Sequence, residues 1–246
     1  MSREVQSVLV LLLGGALLRI TLASEVYLRY VKAGLHWPLV AAGALLVCAA
    51  VVTLLRDTFG PAALAADDDD HPEHGHGHGH AGPLIAWLLV LPVFAIMLVG
   101  PPALGSYSVN RSGAAAAQRL SADYPPLPAG DPVRVSLLDY VSRALWAGGA
   151  SLRGRDLRLT GFVTTGPLGR VYLTRIVITC CAADGQALRI LLTGPVPDGL
   201  SPDTWVTVTG NYDGQRVKDP VSLEEVPTLS ITRLNRVSTP AEPYDT

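Results

Sequence analysis

The spacing of apolar positions changes character twice along the chain. Residues 5–23 (VQSVLVLLLGGALLRITLA), 37–55 (WPLVAAGALLVCAAVVTLL) and 83–100 (PLIAWLLVLPVFAIMLVG) are almost continuously apolar. A bilayer core of about 30 Å takes roughly 20 apolar residues as helix, so the three runs predict three transmembrane helices. Trp37 and Trp87 lie near run ends, where aromatic belts form. Pro92 falls inside the third run, and membrane helices tolerate such a kink. The first run also has a signal-peptide reading, with Thr21-Leu22-Ala23 as the cleavage region. Arg19 favours a retained helix, because a charge inside a cleavage site is unusual while a long cation snorkels to the interface.

Beyond residue 100 the runs stop. Residues 101–135 are rich in Pro, Gly, Ser and Ala and read as a linker. Ser136 then opens SLLDYVSRALW, apolar at helical spacing with a Ser cap, and Gly148-Gly149 close it. From there the period shortens to that of strands: Leu157–Thr164, Val171–Cys181, Ala187–Leu192, Trp205–Asn211 and Thr228–Leu234. The turn signals between them are Gly166-Pro167 with Gly169, Asp184-Gly185, and Pro195 through Pro202. The expected fold is therefore a membrane α-helical region over 1–100 followed by a small all-β domain. The β domain, five-stranded and OB-like, occupies 136–236 with its helix, and 237–246 form a tail. A small open sandwich fits the same pattern.

Composition sharpens this division. The chain is 49% hydrophobic and 16% charged with a mean hydropathy of +0.32, and the excess sits in the first hundred residues. A net charge of −2 gives nucleic acid no hold as an electrostatic partner. Three cysteines, two of them adjacent, make no disulfide framework. With three spans, Arg29, Lys32, Arg111 and Arg119 fall on one side and Arg3 and Arg56 on the other. The positive-inside rule then places the β domain in the cytoplasm and the loop before the third span outside.

That loop carries DDDDHPEHGHGHGH over 67–80. Its imidazoles, His71, His74, His76, His78 and His80, bind zinc or another divalent transition metal when neutral. Alternating glycines let several of them close on one ion, but nothing fixes their geometry beforehand, so binding is weak. Carboxylates Asp67–Asp70 and Glu73 concentrate cations nearby. The competing reading is a solvated low-complexity connection. A second candidate is RIVITCCAADG, 175–185. Strand alternation puts Ile176, Ile178 and Cys180 on the core face and Cys181 on the polar face, three residues before Asp184. Cys181 and Asp184 offer half a metal site, with Cys180 through a bulge, or a second protein, as the missing ligand. The competing reading makes Asp184-Gly185 a hairpin turn and Cys181 a packed residue. His36 is the only histidine outside the tract, so no Ser-His or Cys-His catalytic pair exists in the β region and no enzyme activity is expected.

Several segments together resemble a bacterial permease-subunit family. They are Arg29-Tyr30-Val31-Lys32, the His74–His80 repeat, Leu157–Val163, Arg175–Asp184 and Trp205–Gly210. Such proteins have N-terminal membrane helices interrupted by a His-rich loop and a C-terminal domain of unknown function. They pair with a larger permease whose class includes arsenic-permease-like proteins. The resemblance implies a multi-pass accessory subunit of the bacterial cell membrane, with a link to zinc homeostasis and no catalytic residues to carry over. The His loop here is short and lacks cysteine, which leaves its metal preference open. The reading from sequence is thus an accessory subunit of a permease system, in contact with the bilayer and a larger polytopic permease. The alternative is a membrane-anchored envelope protein whose β domain recognises a protein or polymer.

Overall fold

The computed structural model describes residues 3–59, 102–116 and 123–245. It divides into two compact units. The run at 83–100, expected as a third helix, and the histidine tract lie outside the described residues.

The first unit contains α1 (Arg3–Ala23) and α2 (His36–Phe59). Both are long and apolar enough to cross a membrane, over Gln6–Ala23 and Ala33–Arg56. They cross at small residues. A Cβ on Gly14 would stand 3.0 Å from the carbonyl oxygen of Gly43, and one on Gly43 would stand 2.9 Å from Leu18 Cγ. Backbones approach this closely only where the side chain is missing. Thr21 donates its hydroxyl to the Leu17 carbonyl at 2.7 Å, so its polar atom is satisfied within its own helix.

The second unit joins residues 28–33 to the region from 102 onward. Its helices are α3 (Ser106–Ser112) and α4 (Leu137–Trp146), and its strands are β1 (Val133–Arg134), β2 (Asp156–Thr165), β3 (Val171–Val177), β4 (Gln186–Thr193), β5 (Trp205–Asn211), β6 (Arg216–Lys218), β7 (Glu225–Arg236) and β8 (Tyr244–Asp245). Five of these close on themselves in a barrel-like sheet. β2 pairs with β3 and β5, β3 with β4, β4 with β7 in parallel, and β7 with β5. β5 shows the cause plainly: Val206 and Val208 point inward, while Trp205, Thr207 and Thr209 point outward. The expected Trp205–Asn211 strand is found with the same bounds.

Helix α4 forms as its sequence suggests. The Ser136 hydroxyl caps the Asp139 amide at 3.0 Å, and Leu137, Tyr140, Val141 and Ala144 are buried in the main core. Tyr140 donates its hydroxyl to the Thr228 carbonyl at 2.5 Å. Gly149 has φ +68°, and a Cβ there would fall onto the Tyr212 ring, so only glycine turns the chain at this point.

Two segments differ from the sequence reading. Residues 102–116, expected as linker, lie on the barrel: Val109 is buried with Phe162, Ile176, Ile178, Ala187 and Tyr244. Ser106 donates its amide and hydroxyl to the Asp203 carboxylate, each at 2.6 Å. The polar composition of this stretch hid a few well-placed apolar residues that cover one outer patch of the sheet. The segment expected as a tail, 237–246, contributes β8, which pairs in parallel with β3.

One charge pair is fully interior. Arg189 Nη1 lies 2.7 Å from Asp219 Oδ2, with the side chains 2% and 0% exposed. Arg189 also lies over the Tyr172 ring, 4.2 Å from its centroid, and donates to Thr164 Oγ1 at 3.2 Å.

Candidate functional site

β3 ends at Val177, four residues short of the Cys181 expected from its alternation. Ile178 still follows the pattern and is buried, its amide donating to the Asp245 carbonyl at 3.1 Å. Beyond it the Asp184 carboxylate takes over. Oδ1 accepts the Thr179 amide at 2.9 Å and Oδ2 accepts the Cys180 amide at 2.8 Å. Two amides gathered by one carboxylate pull the backbone out of the sheet. Cys180 is consequently exposed, not a core residue on the face of Ile176 and Ile178. The connection to β4 is a longer loop than a tight hairpin turn, with a 3-10 turn at Ala182–Asp184.

The turn collects three ligand-type atoms. The Cys180 and Cys181 Sγ atoms and a carboxylate oxygen of Asp184 all lie within 4.8 Å of one another. Cys180 Sγ is 3.7 Å from Cys181 Sγ and 3.0 Å from Asp184 Oδ2. Cys180 is exposed, while Cys181 and Asp184 are half-buried. Donation to Asp184 pushes the Cys180 thiol up to about 11. The same hydrogen bond, with the amides of Thr179 and Cys180, holds Asp184 down at about 2. Cys181 and Asp184 thus lie together on the turn, and Cys180, expected on the core face, joins them there.

A strap from far upstream fixes this turn. Val31 bridges Cys181 in antiparallel fashion. Lys32 donates its amide to the Cys180 carbonyl at 3.1 Å, and Ala182 donates to the Tyr30 carbonyl at 2.6 Å. The Tyr244 hydroxyl donates to the Arg29 carbonyl at 2.8 Å and accepts the Leu104 amide at 2.9 Å. Gly185 lies against this packing: a Cβ there would stand 2.9 Å from Leu104 Cδ1 and 3.1 Å from the Ala182 carbonyl oxygen. The contribution of Tyr30–Lys32 is made by backbone atoms, so no side-chain pattern announced it. The other expected ligands, His71, His74, His76, His78 and His80, lie outside the described residues.

No curated protein and no solved structure matches the chain. Residues 146–245, which hold the barrel strands and the cysteine turn, match the family model of the DUF1980 C-terminal domain.

Proposed function

We propose that the chain is a membrane-anchored accessory subunit of a transport system for a thiophilic divalent metal of the zinc class, and that Cys180, Cys181 and Asp184 hold this ion. The observation that carries the reading is the sulfur spacing. Two thiolates each about 2.3 Å from a tetrahedral zinc lie roughly 3.8 Å apart; the two Sγ atoms are 3.7 Å apart. The ion would displace two protons to solvent, the one that Cys180 shares with Asp184 and the one on the Cys181 thiol. Three protein ligands leave a fourth position for solvent or for a group on the partner.

The membrane part of the proposal rests on α1 and α2, whose glycine crossing suits packing in lipid. Neither helix has an intramembrane carboxylate, which makes them a poor ion path. A larger polytopic permease is therefore the proposed conductor. With a third span at 83–100, the histidine tract gathers ions on the outside and the β domain works in the cytoplasm of a bacterial cell. The strand path supports the OB-like reading of the barrel, because the third strand pairs with the fifth in parallel while the fourth returns to the first.

A second reading keeps the anchor and gives the β domain a protein or polymer to recognise. It is favoured by the Asp184 hydrogen bonds, which fold the turn without an ion. Cobalt(II) titration of the full chain in detergent separates the two. A thiolate charge-transfer band is expected in wild type, lost in Cys180→Ala/Cys181→Ala, and kept when the five tract histidines become Ala. If wild type shows no such band, the metal reading fails. Co-purification of a polytopic permease would then decide whether the subunit reading survives without a metal.

A further inference from the structure

A separate polar concentration lies on the outer face of the barrel. β1 and β2 run parallel with Arg134 opposite Arg158. Paired positions share a face, so two guanidinium side chains leave the sheet side by side. Across β5, Arg158 faces Thr209 and Thr160 faces Thr207. Thr209 in turn faces Arg233 on β7, which extends the cationic row. Beside the row is a cleft of about 500 Å³ lined by Arg134, Arg158, Arg175, Thr160, Thr207 and Asp245. That volume is in the range of small-ligand sites.

The charges in the cleft do not cancel. Arg175 is accounted for: its Nε lies 3.0 Å from Asp245 Oδ1, an Nη2 hydrogen bond reaches the Glu242 carbonyl at 2.9 Å, and the guanidinium lies over Trp205, 5.0 Å from the ring centroid. Arg134 and Arg158 form no ion pair among the described residues. Like charges on paired positions repel, and two positive charges remain uncompensated. Thr160 and Thr207 place their hydroxyls 2.8 Å apart. One proton serves their mutual hydrogen bond, and the other is free to be donated.

We propose that this cleft binds the phosphoryl group of a phosphate monoester. Arg134 and Arg158 grip it with paired N–H donors, and the spare threonine hydroxyl supplies a further one. Such a group carries nearly two negative charges at neutral pH and matches the excess, whereas one carboxylate would offset only half of it. Planar guanidinium forks are suited to this geometry. The phosphoryl group can arrive on a soluble ester or as the headgroup of phosphatidic acid. The proposal is independent of the metal turn.

The test is calorimetric titration of the full chain in detergent with inorganic phosphate at fixed ionic strength. A parallel arm compares nanodiscs of phosphatidylcholine with and without phosphatidic acid. Saturable one-site binding is expected, weakened about tenfold or more in Arg134→Gln/Arg158→Gln, since charged hydrogen bonds are lost. Arg134→Lys/Arg158→Lys, which keeps charge but not the fork, is expected between the two. Arg153→Gln, an exposed arginine outside the cleft lining, is expected to bind as wild type. Binding of free phosphate indicates a soluble ester; response only to phosphatidic acid indicates a headgroup. Absence of saturable binding in both arms, equal displacement by chloride, or unchanged binding in the glutamine variant would overturn the proposal.

Discussion

Asp219 and Asp184 use the same backbone device in opposite settings. Each carboxylate accepts two successive amides, Val221 and Ser222 for Asp219, Thr179 and Cys180 for Asp184. Asp219 is sealed from solvent and has Arg189 as its counter-ion. Asp184 sits on a partly exposed turn, and among the described residues its ion pairs include none. Two thiols stand where the cation would be. Amides suffice to shape a loop around a carboxylate, but they leave its charge uncompensated. Where that charge is buried the chain supplies an arginine. Where it is exposed beside sulfur, the setting suits a metal ion.

The largest effect should come from breaking the buried side of this comparison. Asp219→Ala leaves Arg189 buried without its counter-ion and should cost about 3–5 kcal/mol, read as a lowered unfolding midpoint of the β domain. Joint replacement by apolar residues, Arg189→Met with Asp219→Leu, should cost less than the sum of the two single changes, and a double-mutant cycle measures the coupling. An intermediate effect is expected with pH. Burial works against the Asp219 carboxylate, but the Val221 and Ser222 amides and Arg189 outweigh it and lower its pKa. Its stabilisation is therefore fully present above the unfolded value near 3.9 and fades as pH falls through the lower folded value. Thermal unfolding of wild type should weaken below about pH 4, and Asp219→Asn should flatten that part of the profile. The smallest stability change is expected for Asp184→Asn, which keeps an oxygen for one of the two amides and leaves the other to water at this partly exposed turn. The same substitution should weaken metal binding about tenfold or more, because it removes a ligand charge. An unfolding midpoint that falls as far as in Asp219→Ala would erase the distinction between the two aspartates.

Much of the β domain was legible because its signals are local. The Ser136 cap and the spacing of Leu137, Tyr140, Val141 and Ala144 mark α4 without reference to anything distant. The alternation of Val206 and Val208 against Thr207 and Thr209 marks β5 in the same way. The short strands β1 and β8 were not legible, since two residues carry no period and pair only because a barrel edge is present. Cys180 was misplaced for a different reason. Alternation holds through Ile178, and nothing in it says where a strand stops. The stop comes from Asp184, whose reach back to two amides is the one signal that pointed to the exposed thiol. The cationic cleft was hidden because Arg134 and Arg158 become neighbours only through strand register.

The hydrogen bonds of the Tyr244 hydroxyl bear on the order in which the protein is made. They join Arg29 and Leu104 to a residue near the far end of the sequence. The strap at 30–32 leaves the ribosome long before its partners at 180–182. Closure of these contacts must therefore wait for late synthesis, and such long sequence separations slow folding. The strap waits for its partners during that interval, so the cysteine turn becomes complete only after both apolar helices have been synthesised.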